Sequence, residues 1–240
     1  MSSVRGREIL ADVLAAEGGG LTLPQLLCRA CAAGLPVSGA GLSLMSAEGL
    51  SDSVAATDGV AETMEALQFT CGEGPCVDAS RSGRPVLMPD VKGAAVARWP
   101  GFGPAALEAG IAAVFAFPLQ IGGIQLGVLD LYRDVTGSLT PGQFGEALAY
   151  ADAATSIVLH LQERTSTGEG LHPDLVDPVG DRVEVHQATG MVSVQAGVTL
   201  TNALLLLRAR AFADDRTLLE VAREVVSKRM RFRVDDDHHE

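Results

Sequence analysis

The sequence predicts an α+β fold in two parts, a larger domain of strands and helices over residues 1–163 and a small three-helix domain over 181–233. Three observations carry this expectation. Two apolar runs in AVFAFPLQIGGIQLGVLDLY flank Gly122–Gly123, which can supply the positive φ of a two-residue turn, so the segment reads as a β-hairpin. Residues 164–180, RTSTGEGLHPDLVDPVG, lack periodicity, hold Pro173 and Pro178, and read as a linker. Beyond the linker, segments at about 181–196, 200–213 and 217–231 have the apolar spacing of helices.

The remaining elements follow in order. REILADVLAAEGGGLTLPQLLCRACAAGL reads as helical segments interrupted at Gly18–Gly20, and GAGLSLMS then alternates like a strand. VAETMEALQF is a helix. CGEGPCVDASRSG is a Gly-rich turn into a short helix that stops at Gly83, and RPVLMPD is a short strand. After the hairpin, Thr140 can cap a helix that has Pro141 at its first position and Gln143 three residues after the cap. Phe144, Leu148, Ala151, Ile157, Val158 and Leu161 form its apolar stripe, and a helix of this length can pack on a sheet and also serve a homodimer. In the small domain Thr199 can cap the second helix. Thr217 with Glu220 forms a capping box for the third, whose stripe is Leu218, Ala222, Val225 and Val226. An acidic tail, 234–240, ends the chain.

Composition bounds the function. Apolar residues at 47% can fill a substantial core, and aromatics at only 4% imply one made of Ala, Val and Leu. A net charge of −12 argues against a chain that coats nucleic acid along its whole surface. The charge is uneven, with 9 Lys+Arg against 20 Asp+Glu through Asp177 and 9 against 10 afterwards. Since Asp235, Asp236, Asp237 and Glu240 lie in the tail, the three-helix unit itself is locally basic. Charges break the N-terminal apolar stretch where a secretion signal would need an uninterrupted run. Residues 109–129 carry no charge, but Pro118, Gln120, Gly122–Gly123 and Gln125 interrupt them, so no membrane span is expected. Four cysteines without a signal peptide imply reduced thiols and a cytoplasmic location.

Cys28-x-x-Cys31 and Cys71-x4-Cys76 invite a four-thiolate zinc site, but each spacing fits only loosely. On a helix the first pair shares one face, where cysteine serves as a small hydrophobe, so core packing is expected and no metal. Cys76 opens a helix after Gly72-Glu73-Gly74-Pro75. Unpaired amides there could favour its thiolate, or the thiol could pack inward; it is a weak candidate for ligand binding. His160, His172, His186, His238 and His239 all follow the hairpin, which leaves the first domain's sheet and loops no imidazole for base catalysis or haem ligation. With no P-loop and no G-x-G-x-x-G, neither an enzyme nor a cofactor is expected. Arg208, Arg210, Arg216, Arg223, Lys228, Arg229, Arg231 and Arg233 lie on or between the last two helices, as a solvated face or as a grip for phosphate.

GEGPCVDASRSGRPVLMPD, WPGFGPAALEAG and FPLQIGGIQLGVLDLY together resemble a GAF domain of the actinobacterial regulator type, over about residues 20–163. The resemblance implies a sensor with a central antiparallel sheet, helices on its back and a ligand pocket on the other face. Residues 182–228 resemble an ANTAR domain, a three-helix RNA-binding module of transcription antiterminators. The pattern here is Ala188-Thr189-Gly190, Ala203, Leu207-Arg208, Ala211, Val221-Ala222 and Val225-Val226, with Thr189 where that family has lysine. This resemblance implies a homodimer that grips hairpins of a nascent transcript through Gln187, Thr189, Arg208, Arg210, Arg216, Arg223, Lys228 and Arg229, under an unknown signal at the sensor. Three rival readings remain. The turn Ala213–Arg216 permits a DNA-binding helix-turn-helix. GEGPC also resembles the Gly-x-Gly-x-Cys turn of free methionine sulfoxide reductases, and the tail unit could instead mediate protein contacts.

Overall fold

The computed structural model describes residues 3–46, 49–164, 171–176 and 181–232. The acidic tail and much of the expected linker lie outside these residues. The chain divides into two compact units, Met1–Asp177 and Pro178–Glu240.

Local chemistry sets the first unit's helices. Ser3 caps α1 (Val4–Ala15), and Thr22 with Gln25 forms a capping box at α2 (Leu23–Gly34), so the glycine break between them falls where expected. The strands are β1 (Gly39–Ser46), β2 (Gly49–Ala56), β3 (Val86–Met88), β4 (Ala113–Ile121) and β5 (Ile124–Arg133). All pairings are antiparallel and the order is β2-β1-β5-β4-β3. The β4–β5 hairpin turns at Gly122, whose φ is 59°, so most of the uncharged stretch 109–129 lies in these two strands. Edge strand β2 has no sequence signal of its own, because GLSDSVAA lacks apolar alternation and takes its place by pairing with β1. Helices α3 (Gly59–Cys71) and α4 (Pro75–Ser82) follow β2. A π-helical turn (Val91–Ala95) then runs into α5 (Val96–Arg98) and α6 (Phe102–Glu108).

Helix α7 (Pro141–Glu163) starts at the capping box of Thr140 and Gln143. Its stripe differs from the sequence reading. Ala147, Tyr150, Ala151, Ala154, Ile157, Val158 and Leu161 are buried, while Leu148 is 39% exposed. The reason is that α7 is covered on two sides, by the sheet and by α1, which the sequence pattern did not anticipate. Arg5 pairs with Glu146 at 2.8 Å, and the Ser3 amide donates to Asp152 at 3.0 Å. Much of the apolar surface expected to serve a dimer is thus occupied within the chain. Leu175, placed by sequence in the linker, is fully buried in the same core, on a 3-10 turn at Pro173–Leu175.

The second unit holds α8 (Asp181–Ala196), α9 (Leu200–Ala213) and α10 (Leu218–Val226). Thr199 caps α9, and Thr217 with Glu220 forms the capping box of α10. Helix α10 stops five residues short of the sequence estimate. Lys228 takes φ 62°, and the Arg229 amide returns to the Glu224 carbonyl at 2.8 Å, a Schellman-type end.

The two faces of α7 give a test. Ile157→Ala should cost about 2–5 kcal/mol in urea unfolding, and Leu148→Ala about 0.5 kcal/mol or less. Equal costs would contradict the two-sided burial of α7.

Candidate functional site

Period-two alternation divides the sheet into two unlike faces. Ala40, Leu42 and Leu44 of β1, Phe115 and Phe117 of β4, and Leu129 and Leu131 of β5 point to one face, which α2 and α7 cover with apolar side chains, α1 packing behind them. Cys28 and Cys31 of α2 lie in this layer, fully buried, and burial pushes both thiols well above the ordinary cysteine range. They pack as hydrophobes, as their spacing suggested.

The other face is mixed. Val114 and Ala116 of β4 and Val128 and Tyr132 of β5 join Met64, Cys76, Trp99 and Phe102 in a second apolar layer. Ser43, Glu65, Gln68 and Asp130 are buried there too, each with 0% exposure. Asp130 pairs across the sheet with Gly41 on one side and Ala116 on the other. Both neighbours are small, and Glu65 of α3 fills the space over Gly41, where a Cβ would stand 2.5 Å from its Oε1. Ser43 Oγ donates to Glu65 Oε2. One turn along α3, Gln68 Oε1 accepts the Cys76 amide at 2.7 Å and so holds the start of α4. Gly74, at φ 130°, must be glycine for this contact, because a Cβ would meet Gln68 Oε1 at 2.8 Å.

Electrostatics single out Asp130. Burial pushes its carboxyl well above the usual range, and the neighbouring Glu65 pushes it further. Cys76 and Gln68 stand close enough to pull in the opposite direction. Both Asp130 oxygens and Gln68 Nε2 are shut off from solvent, facing Glu65, Cys76 and each other. Two adjacent carboxyls in so dry a setting hold a proton between them.

The segment 91–108 lies over this face, contributing Val91, Ala95, Trp99, Phe102 and Ala106 to the apolar layer. Two carboxylates from the α3–α4 region latch it. Asp78 Oδ2 accepts from Arg98 Nη2 at 2.7 Å and from the Trp99 indole at 3.1 Å. Glu73 Oε1 accepts the amides of Gly101 and Phe102 at 2.5 and 3.0 Å.

Of the residues singled out by sequence, Cys76 is in this cluster, fully buried beside the carboxyls. The others belong to the second unit. Gln187 is exposed on α8. Thr189, expected on an RNA-facing surface, is instead only 5% exposed and donates to the Val185 carbonyl at 2.7 Å, because its position falls on the core face of α8. Three of the arginines are engaged by carboxylates: Arg210 with Asp214 at 2.7 Å, Arg216 with Glu224 at 3.1 Å and Arg223 with Glu184 at 2.6 Å. Arg208 is half-buried, and Lys228 and Arg229 are exposed beyond the end of α10. Sequence reasoning missed Ser43, Glu65, Gln68 and Asp130. The readable signal was Asp130 in LGVLDLY, a lone carboxylate on the same strand face as Val128 and Tyr132.

No family model matches the chain, and no curated protein matches it. Solved structures are similar to the first unit. One is the GAF domain of an Acinetobacter phosphoenolpyruvate-protein phosphotransferase, at 10% identity over 68% of this chain and 98% of that one, with a TM-score of 0.49. A second is the GAF domain of the Coxiella burnetii phosphoenolpyruvate-protein phosphotransferase, at 14% over 68% and 97%, TM-score 0.48. A third is free methionine-R-sulfoxide reductase from Neisseria meningitidis in complex with its substrate, at 15% over 65% and 91%, TM-score 0.43. These are likenesses of fold, and none carries a ligand or reaction to this chain. The first unit, to which these structures are similar, is an antiparallel sheet backed by helices on one face, with a buried polar cluster on the other.

The buried carboxyl makes stability depend on pH with a fixed sign. Asp130 keeps its proton in the folded chain above the pH at which the unfolded chain loses it, so its contribution is full at low pH and is lost as pH rises toward the folded value. Asp130→Asn needs no proton. It should raise the melting temperature at neutral pH, and the gain should shrink toward pH ~4, near the unfolded aspartate value. A gain that grows on acidification would contradict a protonated Asp130.

Proposed function

We propose that the chain is a signal-responsive regulator of transcription antitermination, a homodimer whose GAF-like unit senses a ligand and whose second unit holds RNA hairpins in a nascent transcript. One observation supports the RNA reading above the others. The positions that carry the ANTAR-like pattern, Ala188, Ala203, Leu207, Ala211, Val221, Ala222 and Val225, are the buried core of α8, α9 and α10, and the basic side chains stand outside it. Such a module would read the unstacked bases of a hairpin loop without entering the narrow major groove of paired RNA. The ion pairs of Arg210 and Arg223 do not oppose this. Their side chains are about half exposed, and exposed pairs are worth only about 0–1 kcal/mol, so phosphate can exchange for carboxylate.

The burial of Thr189 removes that side chain from the expected contact surface and leaves Gln187, Arg208, Arg210, Arg216, Arg223, Lys228 and Arg229. No catalytic step is needed. A reductase reading through Cys76 has less support, because a fully buried thiol beside two carboxyls lacks the partly exposed, electropositive setting of reactive cysteines.

Titration of a two-hairpin RNA at several salt concentrations tests the proposal. Lys228→Glu combined with Arg229→Glu should weaken binding and flatten the dependence of log affinity on log salt by roughly 0.7–0.9 for each phosphate that is no longer neutralised. Duplex DNA should compete poorly. Unchanged affinity and slope in the double variant, or equal competition by DNA, would contradict the RNA assignment.

A further inference from the structure

Helix α9 turns Ala203, Leu204, Leu207 and Ala211 into the core of the second unit. Its opposite side carries no charge. Asn202, Leu205, Ala209 and Phe212 follow one another there at intervals of three, four and three residues, the spacing of a seam between two paired helices. Leu205 is 61% exposed and Phe212 89%, the most exposed large apolar side chain among the described residues, and Leu206 beside them is exposed as well. A face without charge offers phosphate nothing and suits the apolar centre of a protein contact. The surface first expected to serve a homodimer, on α7, is largely spent within the chain, whereas this one is open.

The chemistry of the seam selects a second copy of the same helix, running parallel to the first. Each seam residue then meets its own counterpart. Asn202 carries both a donor and an acceptor, so two copies can bond to each other, and an asparagine at such a position fixes the register of identical helices. Ala209 is small enough to bring the helices close, and Leu205 and Phe212 pack in layers on either side of it. Charge favours the same arrangement. In the parallel pair Arg208 lies beside the partner's Ala213 and Thr201 beside the partner's Leu206, whereas an antiparallel pair centred on the seam sets Arg208 against its own copy. We propose that α9 pairs with α9 of a second copy along Asn202, Leu205, Ala209 and Phe212, parallel and in register, as the homodimer contact of the second unit. This rests on the reading of the chain as a homodimer that holds two RNA hairpins, and it names the surface. One short helix face is small against the about 800 Å² per partner of a standard interface, so the association is weak and concentration-dependent. An RNA with two hairpins raises the effective concentration of the two copies and completes the pair.

The test is sedimentation of the full chain without RNA, from micromolar to millimolar concentration. A reversible monomer–dimer equilibrium is expected. Phe212→Glu should raise its dissociation constant about tenfold or more, since a charge enters an apolar contact without a counter-charge. Asn202→Leu should lower it, because an apolar side chain replaces the polar one in the seam. Both positions are exposed in the single chain, so the variants keep the fold, which circular dichroism checks. Leu205→Lys carries the expectation of Phe212→Glu if that variant does not fold. The register has its own readout. A mild oxidant should link Ala209→Cys into a disulfide dimer far more readily than Ala213→Cys, with the unsubstituted chain as the background from the partly exposed Cys71. A chain that stays monomeric to millimolar concentration, self-association unchanged in the folded variants, or linkage no better at 209 than at 213 would overturn the proposal. So would a Phe212→Glu variant that loses affinity for a single hairpin while self-association is unchanged, since the face would then belong to RNA. The two readings fail separately. A monomer that still binds a single hairpin sinks the α9 pair and leaves the RNA reading, and an α9 dimer that binds no RNA does the reverse.

Discussion

The carboxyl of Asp130 sits on the central strand β5 with no exposure to solvent, and one whole face of the sheet is arranged around it. An ion in that position would lose its hydration for little return, so the group stays neutral or finds a partner. Its cross-strand neighbours are Gly41 and Ala116, and the room they leave admits Glu65 from α3. Because two carboxyls so placed cannot both ionise cheaply, the pair shares a proton and holds α3 to β1 through Ser43. Gln68, one turn on, reaches the start of α4 and fixes Cys76 beside the same group. Helices, turn and cover on this face therefore meet at one polar cluster.

The opposite face shows what a purely structural solution looks like. Its layer is built from Leu, Phe, Val, Ala and two buried cysteines, closed by α2 and α7, with α1 packed behind them. Close approach there comes from small side chains, as at Gly6, where a Cβ would stand 2.9 Å from the Asp152 Cβ. No buried carboxyl is needed to hold that layer. The contrast is that the face of Asp130 is held together by buried polar groups, whose placement must be matched group by group, where the other face needs only shape.

Much of this was legible in the sequence. Thr140, Pro141 and Gln143 marked the start of α7, Thr217 and Glu220 that of α10, and the diglycine marked the hairpin, because caps and turns are local chemistry. What failed depended on neighbours distant in sequence. The stripe on α7 was misjudged at Leu148 because α1 covers a second side, which no periodicity in α7 reveals. Thr189 was placed by family pattern on a contact surface, whereas its position in α8 relative to α10 puts it in the core. The site itself was missed because Glu65 and Gln68 look like ordinary polar positions of an amphipathic helix until α3 is seen lying on the sheet. Asp130 alone was visible, as a charge inside an apolar strand.

The state of that carboxyl is the point on which the account stands, since the buried pair and the arrangement of this face follow from it. Carbon-13 NMR of the chain with aspartate labelled at the side-chain carboxyl measures it directly. One resonance, absent in Asp130→Asn, should keep the shift of a neutral acid at neutral pH while the exposed aspartates have titrated to carboxylates. If every aspartate carboxyl of the folded chain is ionised at neutral pH, the shared proton is not there and the account of this face is wrong.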